Sequence, residues 1–340
     1  MNSFGRIFRL HIFGESHGES VGIVIDGCPA GLKISPDDLL PDLERRKGGK
    51  QKGTTPRQEE DFPIFKSGIF NGHTTGAPIT ILFENKNTRS ADYEKQRSFP
   101  RPGHADWVAR KKFGGYEDFR GGGHFSARLT TGLVAAGAIA KKLLNESIVT
   151  RGSLTISANV IEIGGLTDTE AGLQKAIDAK DSVGGIVECR VNGMPAGLGE
   201  PFFDSVESQI AHIAFAIPAV KGVEFGAGFA AARMFGIEHN DAIENIEGET
   251  KTNNAGGVVG GITNGNELVF RIAIKPTAST PKQQRSLNWD TGKVEDFSIK
   301  GRHDLCVALR APVILEAAAA VVLADFFLLE QVTPRVINIK

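Results

Sequence analysis

Cysteine is scarce in this chain. Cys28, Cys189 and Cys306 are odd in number, far apart and without any Cys-x-x-Cys spacing. That pattern argues against a disulfide framework and a structural zinc site, and it predicts a reducing, cytoplasmic setting. An excess of charge is missing too: 39 Lys+Arg against 40 Asp+Glu leave a formal net charge of -1. Proteins that bind nucleic acid or anionic membrane generally carry a large basic surplus. Neither partner is expected here, and basic residues that matter must be gathered locally. Unbroken apolar runs are also absent. The most apolar stretch, residues 311–329, contains Pro312, Glu316 and Asp325, which predicts a buried helix and not a membrane span. The first residues reach Arg6 and Arg9 with no apolar run behind a basic start, so no secretory leader is predicted.

The common nucleotide and metal signatures are wanting as well. No G-x-G-x-x-G is present, and Gly49-Lys50 is followed by Gln51, which breaks the P-loop pattern. There is no His-Glu-x-x-His and no carboxylate cluster at ligand spacing, so no metal is expected. Gly14-Glu15-Ser16-His17-Gly18 has the outline of a nucleophile elbow. The strand–Ser–helix context is not there, and serine hydrolysis is a minor reading.

Glycine is what the chain has in plenty: 41 of 340 residues, about 12% where about 7% is usual. The glycines fall in separate clusters between apolar runs, as tight turns and backbone–ligand approach points require. The richest stretch opens with Arg101-Pro102-Gly103-His104-Ala105-Asp106-Trp107. It closes with Arg120-Gly121-Gly122-Gly123-His124-Phe125-Ser126-Ala127-Arg128. Three successive glycines let the backbone come close to a ligand, and flanking arginines fit carboxylates and phosphates. The histidines take up or release a proton near neutral pH. The stretch reads as a site for a small polyanion.

Strands are predicted at 21–25, 64–69, 79–83, 154–163, 185–191 and 268–274. A helix over 35–47 is opened by Ser35-Pro36-Asp37-Asp38 and ended by Gly48-Gly49, with Pro41 distorting its first turn. A helix over 126–144 would turn its free N–H groups to the anion site. Further helices are predicted at 167–179, 204–217 and in the apolar C-terminal segment. Residues 50–61 and 84–97 are polar and turn-rich, the kind of long loop that closes over ligands. With no regular βαβ period and no composition break, the expected fold class is α+β, in one domain over residues 1–340 or two interlocked halves.

Cations and histidines recur beside Gly, Ser or Pro: Ser16-His17, Arg45-Arg46, Lys52, Arg101 with His104, Ser126 with Arg128, Lys275, and Arg302 with Asp304. Singly, each has a plain explanation. Arg45-Arg46 at a helix C-terminus would meet the dipole, Asp106 would cap, and Arg120 would be solvated. Together they put charge into irregular backbone, where a featureless globular protein carries it on helix faces. Several segments, running in order across most of the chain, resemble those of the chorismate synthase family. They are Gly14-Glu15-Ser16-His17-Gly18, Thr74-Thr75-Gly76, Arg101-Pro102-Gly103-His104-Ala105-Asp106, Ser126-Ala127-Arg128, Ala135-Ala136-Gly137-Ala138, Asn254-Ala255-Gly256-Gly257, Lys275-Pro276-Thr277 and Gly301-Arg302-His303-Asp304.

The resemblance implies a β-α-β sandwich with antiparallel sheets and helical layers. It implies anti-1,4-elimination of phosphate and a ring hydrogen from 5-enolpyruvylshikimate-3-phosphate to give chorismate, the last common step of the shikimate pathway to aromatic amino acids. It also implies reduced FMN without net redox change, a homotetramer, and an external flavin reductase or other source of reduced flavin, with direct use of NADPH left open. The two carboxylates and phosphate of that substrate agree with the polyanion reading.

Carried over by position, Ser16, Arg46, Lys52, Arg101 and Arg128 would clamp the substrate. His17 would protonate the reduced flavin, His104 would stabilise the leaving phosphate, and Asp304 would take a proton from flavin N5. His124, Phe125, Ser126, Pro218, Ala219, Asn254, Gly260, Lys275, Pro276, Thr277, Ala278, Ser279 and Arg302 would line or contact the flavin. Three places depart from the family pattern. His124-Phe125 put a titratable ring and an apolar ring where Arg and Ser are common, Lys52 stands for Arg, and Ala278 for Ser. None touches His17, His104 or Asp304, so activity is expected to survive. Two rivals stay in play: a flavin-dependent oxidoreductase acting on a phosphorylated acid, and a non-catalytic anion-binding protein.

Overall fold

The computed structural model describes residues 2–49, 52–55, 59–87, 97–146, 154–299 and 303–332. Alternation decides which face each strand buries. The first sheet holds β1 (Ser3–Phe4), β2 (Arg9–Gly14), β3 (Ser20–Asp26), β4 (Ile64–Ser67) and β5 (Ile79–Glu84). Its order is β1-β2-β3-β5-β4, antiparallel throughout. Val21, Ile23 and Ile25 of β3 stand opposite Phe83, Ile81 and Ile79 of β5, and all six are buried. Each such side chain contributes roughly 1.5–3 kcal/mol on burial. A one-residue slip would turn the whole set to the other face.

The second sheet holds β6 (Thr155–Ile163), β7 (Gly185–Asn192), β8 (Val220–Phe225) and β9 (Leu268–Ile274), in the antiparallel order β8-β9-β7-β6. Cross-strand pairs again make its buried face: Val187 with Ile272, Cys189 with Phe270, and Val191 with Leu268. The three cysteines are buried and unpaired, as the sequence predicts.

The helices are α1 (Leu40–Arg46), α2 (Asp106–Phe113), α3 (Thr130–Asn145), α4 (Thr169–Ala179), α5 (Val206–Ala214) and α6 (Ala311–Val332), and of these α3 and α6 fill the space between the sheets. Helix α3 packs on β3 and β5, α6 packs on β6 and β7, and the two helices pack on each other. The fold is therefore the expected α+β class: sheet, helical layer, sheet. Small residues make the helix–helix approach possible. A Cβ built on Gly137 would overlap Ala317, so Gly137→Ala would push α3 from α6. Helix α6 is apolar on every side because it is covered on every side. By length and composition the helical stretch Val307–Glu330 would be able to cross a membrane, but 89% of its most apolar window is buried inside the protein.

The two buried carboxylates of α6, Glu316 and Asp325, are both satisfied. Glu316 accepts from Arg45 Nη1 and Nη2 at 2.7 and 2.6 Å, from Lys141 Nζ at 2.8 Å and from the Ala158 N–H at 3.0 Å. Asp325 accepts the N–H groups of Arg6, Ile7 and Phe8 at 2.9, 2.7 and 2.8 Å.

Predicted and observed elements differ where proline or polarity intervenes. The helix expected over 35–47 is a 3-10 turn (Pro36–Asp38) followed by α1. Pro41 has no N–H to give, so the helix restarts with it in the first turn. Strands β2 and β8 and helix α2 were not anticipated. In α2 only Ala109 is buried, and an exposed polar helix has little apolar periodicity to reveal it.

Candidate active site

A cleft of about 700 Å³ opens beside β1 and β2, the end of α1, the start of α3, the end of α5 and the loops at 275–279 and 303–310. That volume lies in the range of small-molecule sites, roughly 300–1,000 Å³. Strand and helix ends converge here because both sheets and the helical layer end at this face.

One wall is built by the opening of the glycine-rich stretch. Asp106, the first residue of α2, accepts the Arg101 N–H at 3.0 Å, Arg101 Nε at 2.7 Å and Arg101 Nη2 at 2.8 Å. Its Oδ1 also lies 2.6 Å from His104 Nδ1. Burial raises the carboxyl pKa, but hydrogen bonds from Arg101 and His104 outweigh it and hold Asp106 far below the usual carboxylate range. An ionised carboxylate only accepts, so the His104 proton sits on Nδ1 and Nε2 is left for a ligand. Arg101 Nη1 donates to Ser279 at 3.3 Å, which ties this wall to the loop at 275–279.

The glycine run approaches protein groups rather than open cleft. Gly121, Gly122 and Gly123 all have positive φ, at 59, 84 and 52°. A Cβ on Gly121 would stand 2.5 and 2.6 Å from the His17 ring and 3.1 Å from Ser16 Oγ. One on Gly122 would meet His104 Cε1 and Nε2 at 3.2 and 3.3 Å. Two histidines distant in sequence thus flank one Cβ-free strip of backbone. His17 and Ser16 are buried and lie behind Gly121, which itself faces the cleft. The Ser16 N–H donates to the Gly123 carbonyl at 3.1 Å, fixing that arrangement. Beyond the run, Ser126 caps the 3-10 turn Ala127–Leu129 through the Arg128 N–H, and α3 follows.

A second wall carries Arg46 and Arg128, both buried and both lining the cleft. Between them lies Asp61, which accepts Arg46 Nη2 at 2.8 Å and also Arg128 Nη1. Burial raises the Asp61 pKa, yet the two guanidiniums lower it further than burial raises it. Next to this group, Asp304 accepts the Thr55 N–H at 2.8 Å and Arg310 Nη1 at 3.1 Å. Arg310 Nε in turn donates to the Arg46 carbonyl at 2.9 Å.

His124 donates through Nδ1 to the Gly14 carbonyl at 2.8 Å, with Nε2 3.1 Å from Asn2 Oδ1, so this ring joins the closing stretch to β2 and the N-terminal strand. Phe125 is half-exposed on the rim, tilted against Phe113 with centroids 6.3 Å apart. Pro218, Ala219, Lys275, Thr277, Ala278 and Ser279 line the far side, while the Pro276 carbonyl accepts Lys275 Nζ at 3.2 Å. Burial, then the neighbouring Lys221, lowers the Lys275 pKa.

Among the described residues, three in the cleft carry a buried polar atom with no partner: Arg46 Nε, Thr277 Oγ1 and His303 Nε2. Orphaned groups of this kind are costly unless a ligand satisfies them. Together with the apolar patch of Leu129, Leu133, Ile213 and Pro218, they suit a ligand that is flat and apolar in one part and polar in another, as a flavin mononucleotide is. Burial, then the Arg101 charge, lowers the His303 pKa to about 4, with Asp304 opposing. Its imidazole is neutral at pH 7.

Some expected site residues lie elsewhere. Lys52 Nζ donates to Gln174 of α4 at 2.8 Å, outside the cleft lining. Asn254 Nδ2 donates to the Glu238 and His239 carbonyls, at 3.2 Å each. Gly260 sits in the turn between Val258–Val259 and Ile262–Thr263 with nothing within 4 Å of a Cβ built on it. Neither lines the cleft. Arg302 lies outside the described residues, as do parts of the two predicted lid loops, 50–61 and 84–97. Asp61, His303 and Arg310 in the cleft lining, and Asp106 behind His104, take part in the site without a role expected from the sequence. Asp106 and His303 stand within segments that carry the resemblance, at 101–106 and 301–304; Asp61 and Arg310 left no such trace.

The chain matches the family model for chorismate synthase over residues 8–328. It is 69% identical over 336 residues to a chorismate synthase of Chitinophaga pinensis, covering 99% of each chain. A chorismate synthase of Synechocystis sp. is 43% identical over 353 residues, covering 96% of this chain and 97% of its own. Among solved structures, a crystal structure of chorismate synthase aligns with a TM-score of 0.71 at 26% identity, covering 96% of this chain and 93% of that one.

Proposed function

The chain belongs to the chorismate synthase family, lyases that cleave a carbon–oxygen bond to phosphate, and from that premise we propose its reaction in detail. The substrate is 5-enolpyruvylshikimate-3-phosphate, and phosphate and a ring hydrogen leave in an anti-1,4 sense to give chorismate. The observation that carries the reading is His104, locked by Asp106 and flanked by Arg101, on the wall of a cleft lined by further guanidiniums.

Arg46, Arg101 and Arg128 hold the substrate's anionic groups, with Ser16 behind them. His104, protonated, donates through Nε2 to the departing phosphate, and Asp106 keeps its other proton at Nδ1 and stabilises the imidazolium. Asp304, oriented by the Thr55 N–H and Arg310, accepts a proton. His17, packed against Gly121, holds the proton exchanged with the cofactor. The cleft's apolar residues exclude water from the reacting atoms. Thr277, Ser279, Lys275 and Ser126 would hold reduced FMN, beside Phe125 and the Pro218-Ala219 turn, with Arg302 expected from the resemblance to contribute as well. Bound there, reduced FMN would supply electron density for the departure of phosphate, with no net oxidation.

Reduced flavin comes from an external reductase or from NADPH, in the cytoplasm. The enzyme is a homotetramer in this reading, which the exposed apolar side chains of Phe229, Phe235, Ile237, Ile243, Ile246 and Val259 support.

The test is phosphate release under anaerobic conditions with and without reduced FMN. Many turnovers on catalytic reduced FMN are expected. One flavin oxidised per turnover would establish the oxidoreductase instead, and binding of the substrate without phosphate release would establish a non-catalytic anion binder.

A further inference from the structure

The cleft read as a polyanion site contains a buried anion of its own. Asp61 is 3% exposed and lines the cleft between Arg46 and Arg128. Its φ of 51° puts a non-glycine residue in the left-handed region, a conformation that is costly and is kept where the surroundings demand it. That backbone turn aims the carboxylate inward at the two guanidiniums.

Neutral acceptors hold much of the rest of both guanidiniums. Arg128 Nε donates to Asn85 Oδ1 at 3.0 Å, Nη2 to the Glu84 carbonyl at 3.2 Å and Nη1 to Thr131 at 3.4 Å. Arg46 Nη1 donates to Thr130 at 3.4 Å, and Arg46 Nε has no partner among the described residues. The nearby Arg310 already has Asp304, and Glu59 accepts the N–H groups of Lys86 and Asn87. Among the described residues Asp61 is the carboxylate hydrogen-bonded to both buried guanidiniums, and that trio keeps a single positive charge, with Glu59 also acting on Arg128 and Asp304 on Arg46 as neighbouring charges.

We propose that Asp61 is a positioning and charge-setting residue, which fixes the spacing of Arg46 and Arg128 and halves the positive charge they offer a bound anion. The inference rests on the reading above, in which these arginines grip the substrate. Without Asp61 the pair would still attract phosphate, and more strongly, because the same anion would meet two uncompensated charges in a dry site. The consequence is kinetic: phosphate formed in the cleft must leave it, and a site that binds anions too tightly turns over slowly.

The near-isosteric variant D61N removes the charge and keeps the shape. Calorimetric titration of the intact protein with inorganic phosphate should show D61N binding at least about tenfold tighter than wild type. In turnover, KM for the phosphorylated substrate and kcat should fall together, and D61E should restore both towards wild type. A purely structural Asp61 predicts the reverse, weaker phosphate binding and a raised KM, and that result would overturn the proposal. Should D61N be too unstable to titrate, its thermal midpoint must rise with phosphate by more than the wild-type midpoint does; an equal or smaller rise would also overturn it. Failure of phosphate release from the substrate would sink the reaction assigned above. Tighter phosphate binding by D61N would then still establish Asp61's role at an anion site of different chemistry.

Discussion

Arg45 and Arg46 are neighbours on one short helix, yet they belong to two different charged clusters. Successive helical residues point about 100° apart, so α1 sends one guanidinium into the helical layer and the other to the cleft. Arg45 meets Glu316 and Asp42, and Lys141 meets the same two carboxylates. Two cations face two anions, and the cluster is neutral. Among the described residues, Arg46 and Arg128 are both hydrogen-bonded to the carboxylate of Asp61, and that trio keeps one positive charge. Both clusters are hydrogen-bonded, but Arg45 is half-exposed at the edge of its cluster while Arg46, Asp61 and Arg128 are buried. Charge balance separates them as well as burial. A balanced cluster fastens helices together, while one left with a surplus is ready to bind.

Breaking the balanced cluster should have the largest effect. Glu316→Ala leaves Arg45 and Lys141 without their buried partner and should cost about 3–5 kcal/mol of stability in urea unfolding. KM for the substrate should move by no more than about twofold. Hydrogen bonds from Arg45 and the Lys141 charge outweigh burial and lower the Glu316 pKa in the folded protein. Its contribution is therefore full above the ordinary glutamate value of 4.5 and is lost as the pH falls through the lower folded value. A stability gap between wild type and variant that persisted unchanged in acid would contradict this assignment.

The next effect belongs to the cleft. His104→Ala should cut turnover by roughly 10²-fold or more with flavin affinity nearly intact, the range typical of acid–base groups. Lost flavin binding with normal turnover at saturation would refute the role. Arg128→Ala should come third, raising the substrate dissociation constant about tenfold and the flavin's much less, as expected for a hydrogen-bonded charge. An equal rise in both would show that the surplus charge serves the cofactor. Lys52→Ala should do least, within about twofold in KM, since Lys52 reaches Gln174 and not the cleft. A tenfold rise would restore it to the substrate-binding set.

The comparison also marks what a sequence makes visible. Strand β9 was legible to its ends, 268–274, because alternating apolar residues leave few alternatives. Strand β8 was not: it contains Lys221 and Gly222, and only Val220 is buried. In the site, Arg101, His104 and Arg128 stood out as cations beside Gly, Pro or Ser, and Arg46 as one of a pair at a helix C-terminus. Asp61 did not, since a lone aspartate in a polar loop is the commonest of surface residues until tertiary contact puts it between two arginines. The glycine run was legible as a place of close approach, but its partners were not. The imidazoles of His17 and His104 come to it from separate stretches of chain.

Asp325 has a consequence for the order in which the protein is made. Its carboxylate clasps the N–H groups of residues 6–8, between β1 and β2, and Asn2, Ser3, Phe4, Leu10 and Ile12 form part of the cleft wall. A ribosome emits those strands first and their clasp more than 300 residues later. A nascent chain can pair β2 with β3 early, but the cleft's floor waits for α6. The active site is therefore among the last features to close, and a truncated chain lacking Asp325 would leave it unlatched.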